Sequence, residues 1–228
     1  LLHSSGDPAW YGSLPLIQPA APPIEDRREA EAAPAHPTRL IAVRPSDADD
    51  AEKEASALFD ENRRLRKELG SLVHALLQTV EWLDTADAFM PPSTLQGTDE
   101  TLWQAAIDHV RRALDAPAVA AVFKRPEEHV SLWRERRFEV VKGEQWITGA
   151  FDRVVIHRNE DGHALGATVY DFKTDDVTGN AAVRARAAHY APQMRTYRDV
   201  IAGMLHIRPK DVSLVLVFTG AGIVQRID

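Results

Sequence analysis

Two apolar, β-branched runs, Gln145–His157 and Ala167–Lys173, flank the turn signal Asn159-Glu160-Asp161-Gly162. That pattern predicts a β-hairpin, and a chain committed to it must build its core on a sheet. A symmetric hairpin centred between Asp161 and Gly162 sets Asp152 opposite Asp171, with both side chains on one face unless a bulge shifts the register. Side chains alternate along a strand, so Lys173 projects the same way as Asp171, about 7 Å further on. Like charges placed opposite each other are destabilising. Lys173, a shared proton or a bound cation would offset that repulsion. Two carboxylates with open positions suit a hard, oxygen-preferring ion such as Mg²⁺ or Mn²⁺. A solvated hairpin face with its charges fanned into water would account for the same residues.

The rest of the chain supplies the layers such a sheet needs. Leu65, Leu69, Leu72, Leu76, Leu77 and Val80 recur at helical spacing and predict a helix over Asn62–Leu83, with Gly70 weakening its middle. Further helices are expected over Glu100–Leu114 and Ala118–Phe123, and a strand over Ser131–Val141. Thr178-Gly179-Asn180 offers N-cap chemistry for a helix over Ala182–Leu205, and Ser213–Phe218 is a strongly aliphatic strand. Gly220-Ala221-Gly222 turns into a possible further strand. Helices, a hairpin-rich sheet, a crossing helix and another strand make an α/β domain.

Eight of the 14 prolines fall within residues 1–45, among many alanines. Such a stretch buries too little apolar surface to offset its ordering entropy and reads as a tether. Residues 1–59 are accordingly read as a Pro/Ala-rich linker with the end of a preceding region, and residues 60–228 as the globular domain. The start lacks an initiator Met and the features of a signal peptide, and the chain is read as a piece of something longer. No apolar run approaches the roughly 20 residues that span a bilayer. There are no cysteines, which excludes a disulfide scaffold, a thiolate zinc site and an iron–sulfur cluster, and fits a cytoplasmic protein. The net charge of −7 argues against tight autonomous DNA binding, because phosphate neutralisation supplies most of such affinity. It leaves room for DNA delivered by an attached partner.

Other residues bear on the paired aspartates. Gly149 removes a side chain three residues before Asp152, where a substrate backbone could approach. His74 interrupts an apolar helical stripe, as a third ligand or as an ordinary satisfied histidine. Tyr190, Gln193 and Tyr197 share one helix face, as core packing or with Gln193 orienting a phosphate or a water. Glu135 lies in Arg134-Glu135-Arg136-Arg137, a solvated strand edge or, with Arg184, Arg186 and Arg195, a set of phosphate contacts.

Taken in order, Gly70-Ser71-Leu72-Val73-His74, Arg134-Glu135-Arg136-Arg137-Phe138, Gly149-Ala150-Phe151-Asp152, Asp171-Phe172-Lys173-Thr174 and Gln193-Met194-Arg195-Thr196-Tyr197 resemble the nuclease domain of RecB-like and AddA-like helicase–nucleases, members of the PD-(D/E)XK superfamily. The resemblance covers about Arg44 to Asp228. It departs at Arg137, where the family often has Pro, and at Phe172, where Tyr is common. It implies a restriction-endonuclease-like core with a central mixed sheet flanked by helices. It further implies that His74, Asp152, Asp171 and the Phe172 carbonyl hold Mg²⁺ or Mn²⁺, which polarises the scissile phosphate and activates water. Lys173 would position or deprotonate that water, Gln193 would orient the phosphate or Lys173, Tyr190 and Tyr197 would hold their helix, and Glu135 would support the site. The implied activity is hydrolysis of DNA, directed at single strands, in bacterial double-strand-break repair. The implied partners are DNA, a helicase domain of the same parent chain and a second helicase–nuclease subunit. The alternative is a catalytically inactive nuclease fold acting as a scaffold or DNA guide. No Gly-Lys-Thr/Ser phosphate loop is present, so no motor function is assigned to this piece.

Overall fold

A computed structural model describes residues 41–46, 60–83, 89–93, 98–126 and 129–228, with the backbone alone for 60–63. The Pro/Ala-rich segment up to residue 40 lies outside the described residues. Arg39–Asp228 makes one compact unit. Its elements run β1 (Ile41–Val43), α1 (Asp60–Thr79), α2 (Glu100–Asp115), α3 (Pro117–Val122), β2 (Val130–Lys142), β3 (Gln145–Arg158), β4 (Ala164–Lys173), α4 (Asn180–Leu205), β5 (Val212–Phe218) and β6 (Ile223–Ile227).

The sheet is ordered β1-β3-β4-β5-β6, with β2 on the other edge of β3. β1/β3 and β4/β5 pair in parallel and the other pairs antiparallel, so the sheet is mixed. Alternation sorts its two faces. Val169, Leu214, Leu216 and Phe218 pack with α4 residues such as Met194, Tyr197 and Ile201. Phe172, Val215 and Val217 pack with Leu72, Leu76, Trp103, Val110 and Phe123 from α1, α2 and α3. This is the expected mixed sheet between helical layers, consistent with a restriction-endonuclease-like fold. Among the described residues, no helix is long and apolar enough to cross a membrane.

Three local outcomes differ from the sequence reading. β1 lies within the stretch read as linker, yet Ile41–Val43 pairs with Gln145–Ile147; three residues are too few for periodicity to register. α1 stops at Thr79 rather than Leu83, and the carbonyls of Gln78 and Thr79 accept from the Arg134 side chain instead of from a further helical turn. Gly179 is the N-cap of α4 at φ 83, with no side-chain cap bond; the positive φ is one that glycine adopts freely, and glycine has no side chain to accept.

The β3/β4 ladder follows the expected register from Arg153↔Tyr170 to His157↔Gly166, and a bulge enters only at the turn end, between His157 and Arg158. At the other end the ladder stops at Arg153, while β1 takes only Gln145–Ile147 on that same edge of β3. Residues 148–152 therefore have no strand partner on that side among the described residues. The pleat also changes phase here. Phe151 and Val154, three apart, both lie in the α4-side core, whereas strict alternation would put them on opposite faces. Glu135, across from Asp152 on β2, takes φ 45, a left-handed conformation unusual for a residue with a side chain.

Candidate metal and nuclease site

Asp152 sits where the ladder ends, and its side chain continues the pairing: Oδ2 accepts the Phe172 N–H at 2.7 Å. His74 comes from α1, with Nδ1 3.4 Å from Asp152 Oδ1. Asp171 and Lys173 project together toward α4, and Lys173 Nζ stands 2.9 Å from Asp171 Oδ2. Gln193 closes the arrangement from α4. Its Oε1 accepts from Lys173 Nζ at 3.2 Å, and its Nε2 donates to Tyr197 Oη at 3.0 Å and to Asp171 Oδ1 at 3.4 Å. Lys173 Nζ also lies 4.1 Å from the centroid of the Tyr190 ring. The structure thus brings together His74, Asp152, Asp171, Lys173, Gln193, Tyr190 and Tyr197.

Electrostatics separates the two carboxylates. Burial alone would raise both. At Asp152 that is outweighed by the His74 charge and hydrogen bond, the Phe172 N–H and Lys173, so its pKa falls below the ordinary value. At Asp171 burial, with the Asp152 charge, prevails over Lys173, so its pKa rises. Burial works against a charged His74, but Asp152 beside it and Asp171 beyond push its pKa up to about 9. Burial and the nearby Asp171 raise the Tyr197 phenol, which remains a neutral hydrogen-bonding group.

The donor set fits a divalent ion by its chemistry: one buried carboxylate, one partly buried carboxylate and an imidazole. Asp171 Oδ2 is buried without an aligned hydrogen-bond donor, with the Lys173 ammonium 2.9 Å away. The donors are turned on one another, His74 toward Asp152 and Lys173 toward Asp171. Accordingly, among the described residues no three His, Asp or Glu groups already stand in ligating geometry.

Other predicted residues sit differently. Gly149 does not open the site to a substrate backbone; a Cβ there would lie 2.7 Å from Phe138 Cζ, because the Phe138 ring fills that space. Glu135 is exposed as a residue, but partial desolvation of its carboxyl on the sheet surface, then the nearby Asp152, raises its pKa. The Phe172 ring turns away to stack on Phe123 at 5.7 Å. Arg134 donates to the end of α1 and Arg186 to Asp175, so both have partners within the protein, while Arg137, Arg184 and Arg195 are exposed.

Residue-by-residue reading missed Asp175, which accepts from Arg186 and from Tyr190 Oη at 2.8 Å. It also missed Thr219, whose N–H and hydroxyl both donate to the Lys173 carbonyl, at 2.9 and 3.1 Å. Arg153 was missed as well, although an arginine inside Phe151–Ile156 was a visible break in an apolar run.

A mixed sheet flanked by helices in this order is consistent with the restriction-endonuclease-like class of nuclease folds. Residues 50–227 match the family model of the PD-(D/E)XK nuclease superfamily, and the chain belongs to that superfamily. Its members typically use divalent metals. Comparison with individual curated proteins gives no match.

Proposed function

We propose that this domain hydrolyses DNA phosphodiester bonds with Mg²⁺ or Mn²⁺, acting on single strands as the nuclease part of a bacterial RecB/AddA-type helicase–nuclease in break repair. The observation that carries the reading is the Lys173 ammonium, fixed between Asp171 at 2.9 Å and Gln193 at 3.2 Å, next to Asp152. His74, Asp152, Asp171 and the Phe172 carbonyl are the groups that would hold the ion. When bound, such an ion polarises the phosphate and makes water more acidic.

The chain's own residues do the rest. Lys173 orients the attacking water and offsets charge gained on the phosphate oxygens. Gln193 keeps the ammonium from swinging away, and Tyr197 holds Gln193 by accepting its second N–H. The motif order of the RecB/AddA resemblance, together with the Pro/Ala-rich segment ahead of the domain, supports the helicase context, with the cytoplasm as the site of action and a second helicase–nuclease subunit as a further partner. With a net charge of −7, DNA would be presented by the tethered motor, which raises its local concentration.

The same acidity favours a second reading, a non-catalytic DNA-guiding module. Calorimetry with Mn²⁺ on the parent and on Asp152→Ala/Asp171→Ala tests the site; binding lost in a folded variant is expected, and unchanged affinity would sink the assignment. A single-strand cleavage assay on the helicase-linked parent separates the two readings, since a parent that binds Mn²⁺ but does not cut is a guide.

A further inference from the structure

The last four carbonyls of a helix have no partner within it. In α1 each finds one. Leu76 O accepts from Thr79 Oγ1 at 2.7 Å and Leu77 O from the Val80 N–H at 3.1 Å. Gln78 O and Thr79 O accept from Arg134 Nη1 at 2.9 and 3.1 Å. Beyond the helix, Val80 O and Glu81 O accept from Arg153 Nη1 and Nη2 at 3.1 and 2.7 Å. α1 has no basic residue in its own last turn, so two arginines of the sheet supply the positive charge that complements its negative end. Those arginines are register partners across β2 and β3, immediately beside Glu135 and Asp152.

Arg153 is 1% exposed. Its guanidinium lies between the rings of Trp82 and Phe123, 4.8 and 4.6 Å from their centroids, and its Nε has no hydrogen-bond partner. Burying a charge is costly, and an apolar side chain would fill the space between two rings without that cost. Only the planar fork reaches two successive carbonyls at once. We propose that Arg153, with Arg134, is a positioning residue: it pins the end of α1 to β3 at Asp152 and so sets His74, six residues before Val80, against that carboxylate. The inference rests on His74 and Asp152 being ion-holding groups.

The test uses the 228-residue chain and Mn²⁺ calorimetry, with Arg153→Lys and Arg153→Met made in the parent and in a His74→Ala background, and amide exchange followed over residues 76–81. Arg153→Lys should quicken exchange there and weaken Mn²⁺ binding by about 10–100-fold, the usual effect of losing a group that orients a ligand. In the His74→Ala background the loss should vanish, because Arg153 acts through His74. A loss of equal size in both backgrounds, or no loss in the parent, overturns the positioning role while leaving the ion site standing. A parent that binds no Mn²⁺ overturns the ion site and the positioning role together, and is told apart by that. Should neither Arg153 variant fold, Arg134→Gln, at an exposed position, carries the same comparison; a His74-dependent weakening supports the clamp and an unchanged affinity overturns it.

Discussion

Replacing Gly149 by alanine adds one carbon to a place that Phe138 already fills. The new Cβ falls 2.7 Å from Phe138 Cζ and 3.0 Å from Cε1, whereas carbons at their optimum stand about 3.5–4.0 Å apart. The ring must retreat by about 0.8–1.3 Å to reach that separation. It has little room to do so. Phe138 stacks on Phe151 at 4.5 Å and meets Tyr197 edge-on at 5.8 Å, and Phe151 in turn meets Tyr197 at 5.2 Å. All three rings are buried, so displacing one presses on the other two. Overpacking of this kind costs about 1–3 kcal/mol. At about 2–4 °C per kcal/mol for a chain of this size, Tm should fall by roughly 2–12 °C, with a lower urea midpoint and an unchanged slope. Phe138→Leu should be costly alone, through the lost stack, but much less so beside Gly149→Ala, where the smaller side chain vacates the contested volume. A variant that melts with the parent, or two substitutions whose effects simply add, would refute the packing account and restore an open approach to Gly149.

Lys173→Ala should slow single-strand cleavage by the helicase-linked parent by about 10²–10⁴-fold, the range of a positioned acid–base group, with Mn²⁺ still bound. Lys173→Arg should not fully rescue it, and equal cleavage by all three proteins would remove Lys173 from the mechanism. His109 is 2.8 Å from the Thr219 hydroxyl, and burial, with Arg112 nearby, lowers its pKa. The folded value lies below the unfolded one, so its contribution to stability is complete above the unfolded pKa of about 6.5 and declines as pH falls below that. His109→Gln should therefore lose less stability than the parent in urea titrations taken from about pH 7.5 to 5.5; identical losses would show that His109 is not the group responsible.

The readable parts of the fold are those fixed by local periodicity. The β3/β4 register followed from a turn and two alternating runs, and it holds as far as Arg153↔Tyr170. α2 was legible for the same reason: its apolar stripe is clean, and Asp99 caps it by accepting the Leu102 N–H at 3.0 Å. β1 was not, since a three-residue edge strand in a proline-rich context has no period to detect. Nor was the phase change at Glu135 and Asp152 legible, because positive φ on a glutamate violates the local preference that a sequence reading must assume. Gly149 was misjudged for a related reason. An absent side chain marks close approach, but whether a substrate or a phenylalanine ring approaches is decided by long-range packing.

The candidate site divides along the same line. Asp171 and Lys173 share a face by the two-residue period of one strand, so their meeting was local and predictable. The contacts of His74 and Gln193 were not, because α1 and α4 pack on opposite faces of the sheet. Groups from opposite layers meet only where the sheet is interrupted. That interruption is the edge of β3 at residues 148–152, which among the described residues has no strand partner between the end of its pairing with β1 and the start of its pairing with β4. At its end the pleat changes phase, Asp152 reaches Phe172 N–H with its side chain instead of its backbone, and His74 enters from the α1 side. Beside Phe172, β4 carries Asp171 and Lys173 to the α4 side. A pleat that ran regularly through Asp152, with the ladder closed, would leave His74 and Gln193 on separate faces, each an ordinary polar residue of its own helix. The gap in the sheet makes one site of the two layers.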